Sequence, residues 1–478
     1  MNRMRKAGVL LHISSLPGAF GYGTFGKHAY AFADLLAACG FTIWQVLPFN
    51  LPCETACPYS SASTFFGNPL FLDPEILAEK GYLTQEEVEE AKCEGLLYRE
   101  LYARRMELLR RAAKRAATME LSETVARFWE ANPRVAEGCR FLARRDANGG
   151  KPWRFFADGV NEDPDDVWCY AFLQYEFFEQ WNALHAYIRA KGIEVIGDIP
   201  IYCDYESSEV YFNRECFGLQ NDLPSHVSGV PADDFSESGQ KWGHPLYDTV
   251  ALAQSDYALL YDRFAYSSML YDVTRIDHFQ ALVSYYAIPR DVGPLEGHWE
   301  AGVGQPFMER LHAGIGGHRF IAEEFGLYGE AAHTMASAYG IPDMRILQFT
   351  LSHGDTPAVY GEHTVVYTGT HDNDTFRGYL DAMTEEERNR VASLLGTDVS
   401  DSVALTQQAV SSLLSCRAER VVFPVQDLLC QGTEMRMNVP GIAEGNWAYR
   451  MTPSDIATLQ AMSGELRAML ARAGRIKE

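Results

Sequence analysis

One feature restricts the fold more than any other. Eight short apolar, β-branched runs alternate with amphipathic helical stretches along the chain. The runs fall at 8–13, 42–47, 194–199, 272–276, 319–323, 345–349, 364–368 and 421–425. Helical periodicity is clear over 27–39, 167–191, 256–270 and 328–338. Strands separated by helices pair in parallel, and eight such units close into a (β/α)8 TIM barrel, an α/β fold. One residue conflicts with this reading: Pro424 lies inside the last run, and proline cannot donate to a sheet ladder.

The spacing of the strands is uneven. About 150 residues separate the second and third runs, so a largely helical insertion is expected over 73–165. Thr84 with Glu87 has the spacing of a capping box there, as Thr384 with Glu387 has later. The piece 85–121 carries Arg104, Arg105, Arg110, Arg111, Lys114 and Arg115 and is read as a solvated face. A second insertion, 202–247, is rich in Gly, Pro, Asp and Ser, and a loop this long is usually functional. Thr452-Pro453 begins a last helix. The expectation is one catalytic barrel over 1–478 with insertions after the second and third strands and no separate C-terminal β domain.

Charge removes several function classes. The chain has 41 Lys+Arg against 64 Asp+Glu, a formal net charge of −23. Such a surface repels phosphate backbones and anionic lipid, so neither nucleic acid nor a membrane is expected as partner. A neutral substrate meets no such penalty. The ten cysteines are scattered, and Cys53 with Cys57 alone makes no zinc site. Met1 to Lys6 is basic, but the apolar run behind it is too short for a secretory peptide. A cytoplasmic location is expected, with no metal and no cofactor. The sequence defines no oligomeric state.

The strand ends are where a barrel places its chemistry. The third run ends in Asp198, the fourth in Arg275-Ile276-Asp277-His278 and the fifth in Glu323-Glu324. The seventh leads into Thr370-His371-Asp372-Asn373-Asp374, and the eighth into Gln426-Asp427. Carboxylates converging on one pocket permit two chemistries. Glycoside cleavage uses one ionised carboxylate and one protonated carboxyl. Metal-assisted hydrolysis would use Asp198, Asp277, His278, His371 and Asp372 as ligands.

A set of motifs in order along the chain resolves the choice. It comprises Gly8-Val9-Leu10-Leu11-His12, Trp44-Gln45-Val46-Leu47-Pro48, Pro58-Tyr59-Ser60-Ser61 and Gly197-Asp198-Ile199-Pro200. It continues with Gly239-Gln240, Trp242-Gly243, Arg275-Ile276-Asp277-His278-Phe279, Ala322-Glu323 and Gly369-Thr370-His371-Asp372-Asn373-Asp374. Pro424 with Gln426-Asp427, then Arg436-Met437-Asn438 with Pro440-Gly441, complete it. Together these resemble the 4-α-glucanotransferases of the amylomaltase (disproportionating enzyme) type, within the α-amylase clan. The resemblance implies a transferase that moves a segment of a 1,4-α-D-glucan (maltodextrin, starch or glycogen dextrin) to the 4-hydroxyl of glucose or another glucan. It implies a retaining mechanism with a covalent glucosyl-enzyme intermediate.

The same resemblance implies roles by position. Asp277 is the nucleophile, Glu323 the acid/base, and Asp372 the residue that grips the hydroxyls of the reacting sugar. Arg275 keeps Asp277 ionised, His371 bonds the same sugar, and Asp198 is a sugar-ring or supporting contact. Tyr59, Trp242 and Phe235 stack on sugars, while Ser60 and Gln240 reach hydroxyls. Glu324, beside Glu323, is expected to be structural, and so is His278. Retention further implies an Asp277–Glu323 carboxyl spacing of roughly 5–5.5 Å. Three loops depart from the family pattern, at Asp234, at Thr55-Ala56-Cys57 and at His244, so donor and acceptor preference stay open. An α-glucan hydrolase uses the same three carboxylates and is the alternative.

Overall fold

The computed structural model describes residues 5–53, 55–232, 238–324, 330–442 and 444–476. Its centre is a closed barrel of eight parallel strands. They are β1 (Lys6–Leu10), β2 (Ile43–Gln45), β3 (Glu194–Ile199), β4 (Val273–Ile276), β5 (Arg319–Ala322), β6 (Asp343–Ile346), β7 (Thr364–Tyr367) and β8 (Arg420–Pro424). Strands adjacent in sequence are adjacent around the barrel, and β8 pairs back to β1. This is the expected (β/α)8 architecture. No helix among the described residues is long and apolar enough to cross a membrane.

Two details of the strand reading change. The sixth strand lies two residues earlier than the apolar run at 345–349 suggests. Leu347–Ser352 forms a helix, whose buried Leu347 and Leu351 prolong the run without prolonging the strand. Pro424 is compatible with β8 because it is the last residue of the strand, opposite Leu10. There its fixed φ of −51° starts the short helix Val425–Leu428.

Side chains alternate across a strand, and that period builds the site. Ile43, Ile196, Val273, Ile321, Met344 and Val365 belong to one buried cluster inside the barrel. Two residues further along the same faces, Ile196 gives way to Asp198, Val273 to Arg275 and Ile321 to Glu323. A further step from Arg275 reaches Asp277. The apolar layers of the barrel are therefore capped at the C-terminal mouth by a charged layer. Gly197 faces the opposite way on β3, where a Cβ would lie 2.1 Å from the Tyr271 ring. Only glycine lets that ring pack on the strand.

Between β2 and β3 come five helices, among them Tyr98–Ala116 and Pro133–Ala147, and then the long helix Pro164–Ala190. Both expected capping boxes are present, at Thr84–Glu87 and Thr384–Glu387. The charged stretch is not merely a solvated face. Arg105 sits with Leu101, Leu108 and Leu109 on the buried side of its helix. Arg110 bridges to Asp146 and Asp166 on neighbouring helices.

The mouth of the barrel carries a four-stranded antiparallel sheet. Two of its strands, His226–Val230 and Gln240–Pro245, come from the segment after β3. The other two, Ser284–Pro289 and His298–Ala301, come from a segment after β4. This third insertion, between β4 and β5, is absent from the sequence expectation. Its strands are short and its pairing partners lie more than fifty residues upstream, so no local pattern reveals the sheet.

Candidate active site

A cavity of about 500 Å³ opens over the charged layer. Tyr59, Ser60, Gln240, Trp242, Asp277, Glu323, His371 and Asp372 all line it. Positions from loops far apart in sequence are thus brought to one place. Phe235 and the Asp234 departure lie outside the described residues. Asp198 and Arg275 sit beneath the cavity, 3% and 1% exposed. Asp198 meets Arg275 and Tyr59 there.

Arg275 organises the carboxylates. It stands opposite Asp198 in the β3–β4 register. One amino group donates to Asp198 Oδ2 at 2.6 Å and to Asp277 Oδ1 at 3.1 Å. The other donates to Glu323 Oε1. Tyr59 donates from its hydroxyl to the same Asp198 oxygen at 2.7 Å. Glu323 Oε2 accepts from the backbone N–H of His278 at 2.6 Å. That N–H is aimed by a left-handed turn at His278, φ 47°, so His278 has left the strand. It lines the cavity instead of pointing away from it, contrary to the sequence expectation.

The electrostatics differ across the cavity. Burial, and then the charge of Glu323, push the Asp277 carboxyl well above its usual range, and Arg275 offsets this only in part. Arg275 therefore counters the burial of Asp277 without cancelling it. Its single charge is divided among three carboxylates, and both Glu323 oxygens already accept from N–H donors. Asp372 behaves oppositely. Burial would raise it, but His371, Asn438 and Arg275 bring it down to about 2. His371 Nε2 lies 3.1 Å from Asp372 Oδ2, and Asn438 donates to Oδ1 at 2.6 Å.

The remaining residues are partly committed to protein partners. The Tyr59 ring stacks on His371 at 5.1 Å and 12°. The Ser60 hydroxyl donates to Asp204. Gln240 Oε1 accepts from the indole N–H of Trp242 at 3.0 Å. Gln240, Trp242 and His244 occupy alternate positions of one strand, and all three face the cavity. His244, a departure from the family pattern, stacks on Tyr202 and lies 3.3 Å from Ser228 Oγ.

Sequence reasoning missed several residues. Asn438 holds Asp372, and Arg436 donates to the Asp372 carbonyl at 2.6 Å. Both lie in a quoted motif, but they come after the last strand, where reading strand ends has no reach. Trp447, at φ 62°, sets its ring 5.9 Å from Tyr59 and 5.8 Å from His371. A single aromatic after Gly445 carries no spacing signal. The metal-dependent alternative fares poorly. The place between its carboxylates is taken by the Arg275 guanidinium. Among the described residues the set of ligand atoms mutually within 4.8 Å is Glu324, His333 and Asp343. There Arg345 already pairs with Asp343 at 2.6 Å. Glu324 reaches toward this cluster, 3.9 Å from His333, and also lines the cavity beside Glu323.

Comparison with known proteins agrees with this geometry. The family model described as 4-alpha-glucanotransferase matches residues 11–457. The chain is 34% identical over 495 residues to a 4-alpha-glucanotransferase of Thermus thermophilus, covering 97% of this chain and 99% of that one. It is 32% identical over 470 residues to one of Aquifex aeolicus, covering 94% and 96%. The structure of an amylomaltase from Streptococcus agalactiae in complex with acarbose superposes with a TM-score of 0.92 at 29% identity, over 99% of this chain and 100% of that one. The Corynebacterium glutamicum amylomaltase shares the fold, with a TM-score of 0.79 at 19% identity over 98% and 75%. The chain belongs to the 4-α-glucanotransferase family and is an enzyme of that activity.

Proposed function

We propose that the enzyme moves a segment of a 1,4-α-D-glucan to the 4-hydroxyl of glucose or another 1,4-α-glucan by retaining double displacement. The observation that carries this reading is the pair Asp277 and Glu323 on the two arms of one buried guanidinium. A shared guanidinium keeps two carboxyls close, as the short spacing of retaining enzymes needs. In the reactive form the proton of the pair is on Glu323. Positive charge growing at the anomeric carbon in the transition state is stabilised by the ionised Asp277.

The Asp277 carboxylate then bonds to the anomeric carbon as the glycosidic C–O bond breaks. Glu323 gives its proton to the leaving oxygen. In the second half the acceptor's 4-hydroxyl yields its proton to Glu323 and bonds to the same carbon, and the ester to Asp277 breaks. Two inversions give retention. Asp372, ionised at neutral pH, accepts hydrogen bonds from the hydroxyls of the reacting sugar, with His371 beside it. Trp242 offers an aromatic face along the groove. Val439, Pro440 and Ile442 line one side of the cavity. Their apolar surface holds water poorly, which favours a sugar acceptor over hydrolysis. The ten cysteines are free thiols, which supports a cytoplasmic setting.

The test uses maltotriose as sole substrate. Transfer yields glucose together with a ladder of longer maltodextrins. Glucose and maltose with nothing longer would instead establish a hydrolase. Asp277→Asn abolishes both product sets, and EDTA changes neither.

A further inference from the structure

The eighth strand leads into a carboxylate that the mechanism above does not use. Asp427 is 1% exposed. It sits on the short helix Val425–Leu428 and reaches across to the segment after β7. Its Oδ2 accepts from the Thr368 hydroxyl at 2.5 Å. Its Oδ1 accepts from the backbone N–H of Phe376 at 2.7 Å. Thr368 and Phe376 are the two ends of the loop that carries His371 and Asp372. One carboxylate therefore ties both ends of that loop to the short helix that follows β8.

The loop's interior is also closely fitted. Thr370 donates from its backbone N–H to Asn373 Oδ1 at 2.9 Å, and Gln348 donates to the Asp374 carbonyl at 2.8 Å. A Cβ on Gly369 would come within 2.9 Å of Gln348 Nε2. These bonds shape the loop but do not anchor it to that helix. Burying a carboxylate is costly, and burial pushes Asp427 up to about 7. A carboxamide would pack in the same space at lower cost. It could not accept two hydrogen bonds through two separate oxygens. The feature that requires a carboxylate is the pair of donors at the ends of the loop.

We propose that Asp427 is a positioning residue for transfer, a two-point clamp that holds Asp372 at the reacting sugar. The inference rests on Asp372 gripping that sugar. An interaction made mainly in the transition state shows in kcat rather than KM. Displacing Asp372 slightly therefore lowers turnover while leaving glucan binding along the groove in place.

The experiment compares Asp427→Asn, Thr368→Val and the double variant in maltotriose disproportionation. Asp372→Asn is run alongside. Thr368→Val keeps the volume of the side chain and removes one of the two bonds, so it decides the matter where Asp427→Asn fails to fold. The clamp predicts that each folded variant loses tenfold or more in kcat, with KM changed less than threefold. The double variant is no worse than the poorer single. Wild-type kcat in folded Thr368→Val overturns the clamp, as does a rise in KM at constant kcat. Full activity in Asp372→Asn overturns the underlying reading instead. An inactive Asp372→Asn with unaffected Thr368→Val overturns the clamp alone.

Discussion

Two buried arginines, one at the barrel mouth and one in the helical insertion, show what separates a working charge from a structural one. Arg275 meets three carboxylates, and these outweigh burial to hold it charged. Arg105 is equally buried, but it donates to the Phe20 carbonyl at 3.0 Å and lies over the Phe20 ring at 5.3 Å. Burial pushes it down to about 10. Arg475 shares the Arg105 pattern: backbone carbonyls satisfy it, and burial pushes it down to about 10. A carbonyl has no second protonation state near neutrality, so such an arginine only ties chain to chain. An arginine among carboxylates sets which of them holds a proton.

The largest effect should come from exchanging the two arginines' fates. Arg275→Met leaves buried carboxylates uncompensated, which costs about 4 kcal/mol of stability, and by displacing the carboxyls it positions it should lower kcat/KM by about a hundredfold or more. Arg105→Met should keep kcat within twofold and lower Tm by a few degrees, for a loss of about 1–3 kcal/mol. Steady-state kinetics and calorimetry on both proteins check this, and comparable activity losses in the two variants would break the comparison.

A pH series on stability sharpens it. Asp372, at about 2 in the fold, lies below its unfolded value of about 3.9. Its contribution is present above pH 4 and is lost as pH falls through 2. Asp427, at about 7, lies above that value. Its contribution is full below pH 4 and is lost as pH rises to 7. Tm against pH should therefore fall less steeply between 4 and 7 in Asp427→Asn than in the wild type. An unchanged slope removes Asp427 from the titrating groups. The smallest effect is expected at Trp242→Ala, away from the charged layer. Loss of a stacking face is worth about 1 kcal/mol, so KM for maltodextrins should rise several-fold with little change in kcat.

The eight strands were legible because each is an apolar run with a clear stop. The charged layer was legible because alternation carries Val273 to Arg275 and Asp277. The sixth strand was displaced because the apolar surface of Leu347–Ser352 continues the strand's pattern in a helix. Arg105 looked solvent-facing because its neighbours Arg104, Arg110 and Arg111 are charged as well. Only the packing of its helix face reveals the burial. Asn438 and Trp447 reach the site from the far side of β8, so their roles depend on closure of the barrel. The upward push on the Asp277 carboxyl escaped sequence reasoning for another reason. How one charge divides among three acceptors depends on distances.

The four-stranded sheet at the mouth has a consequence for how the molecule is made. Its halves, Gln240–Pro245 with His226–Val230 and Ser284–Pro289 with His298–Ala301, lie on either side of β4 in the chain. During synthesis the first hairpin emerges with its inner edge unpaired, and it must wait for the strand bearing Arg275 and then for Ser284–Pro289. Closure of the groove wall is thus ordered behind the strand that leads to the nucleophile. A ribosome-bound chain stopped before residue 284 would expose that edge.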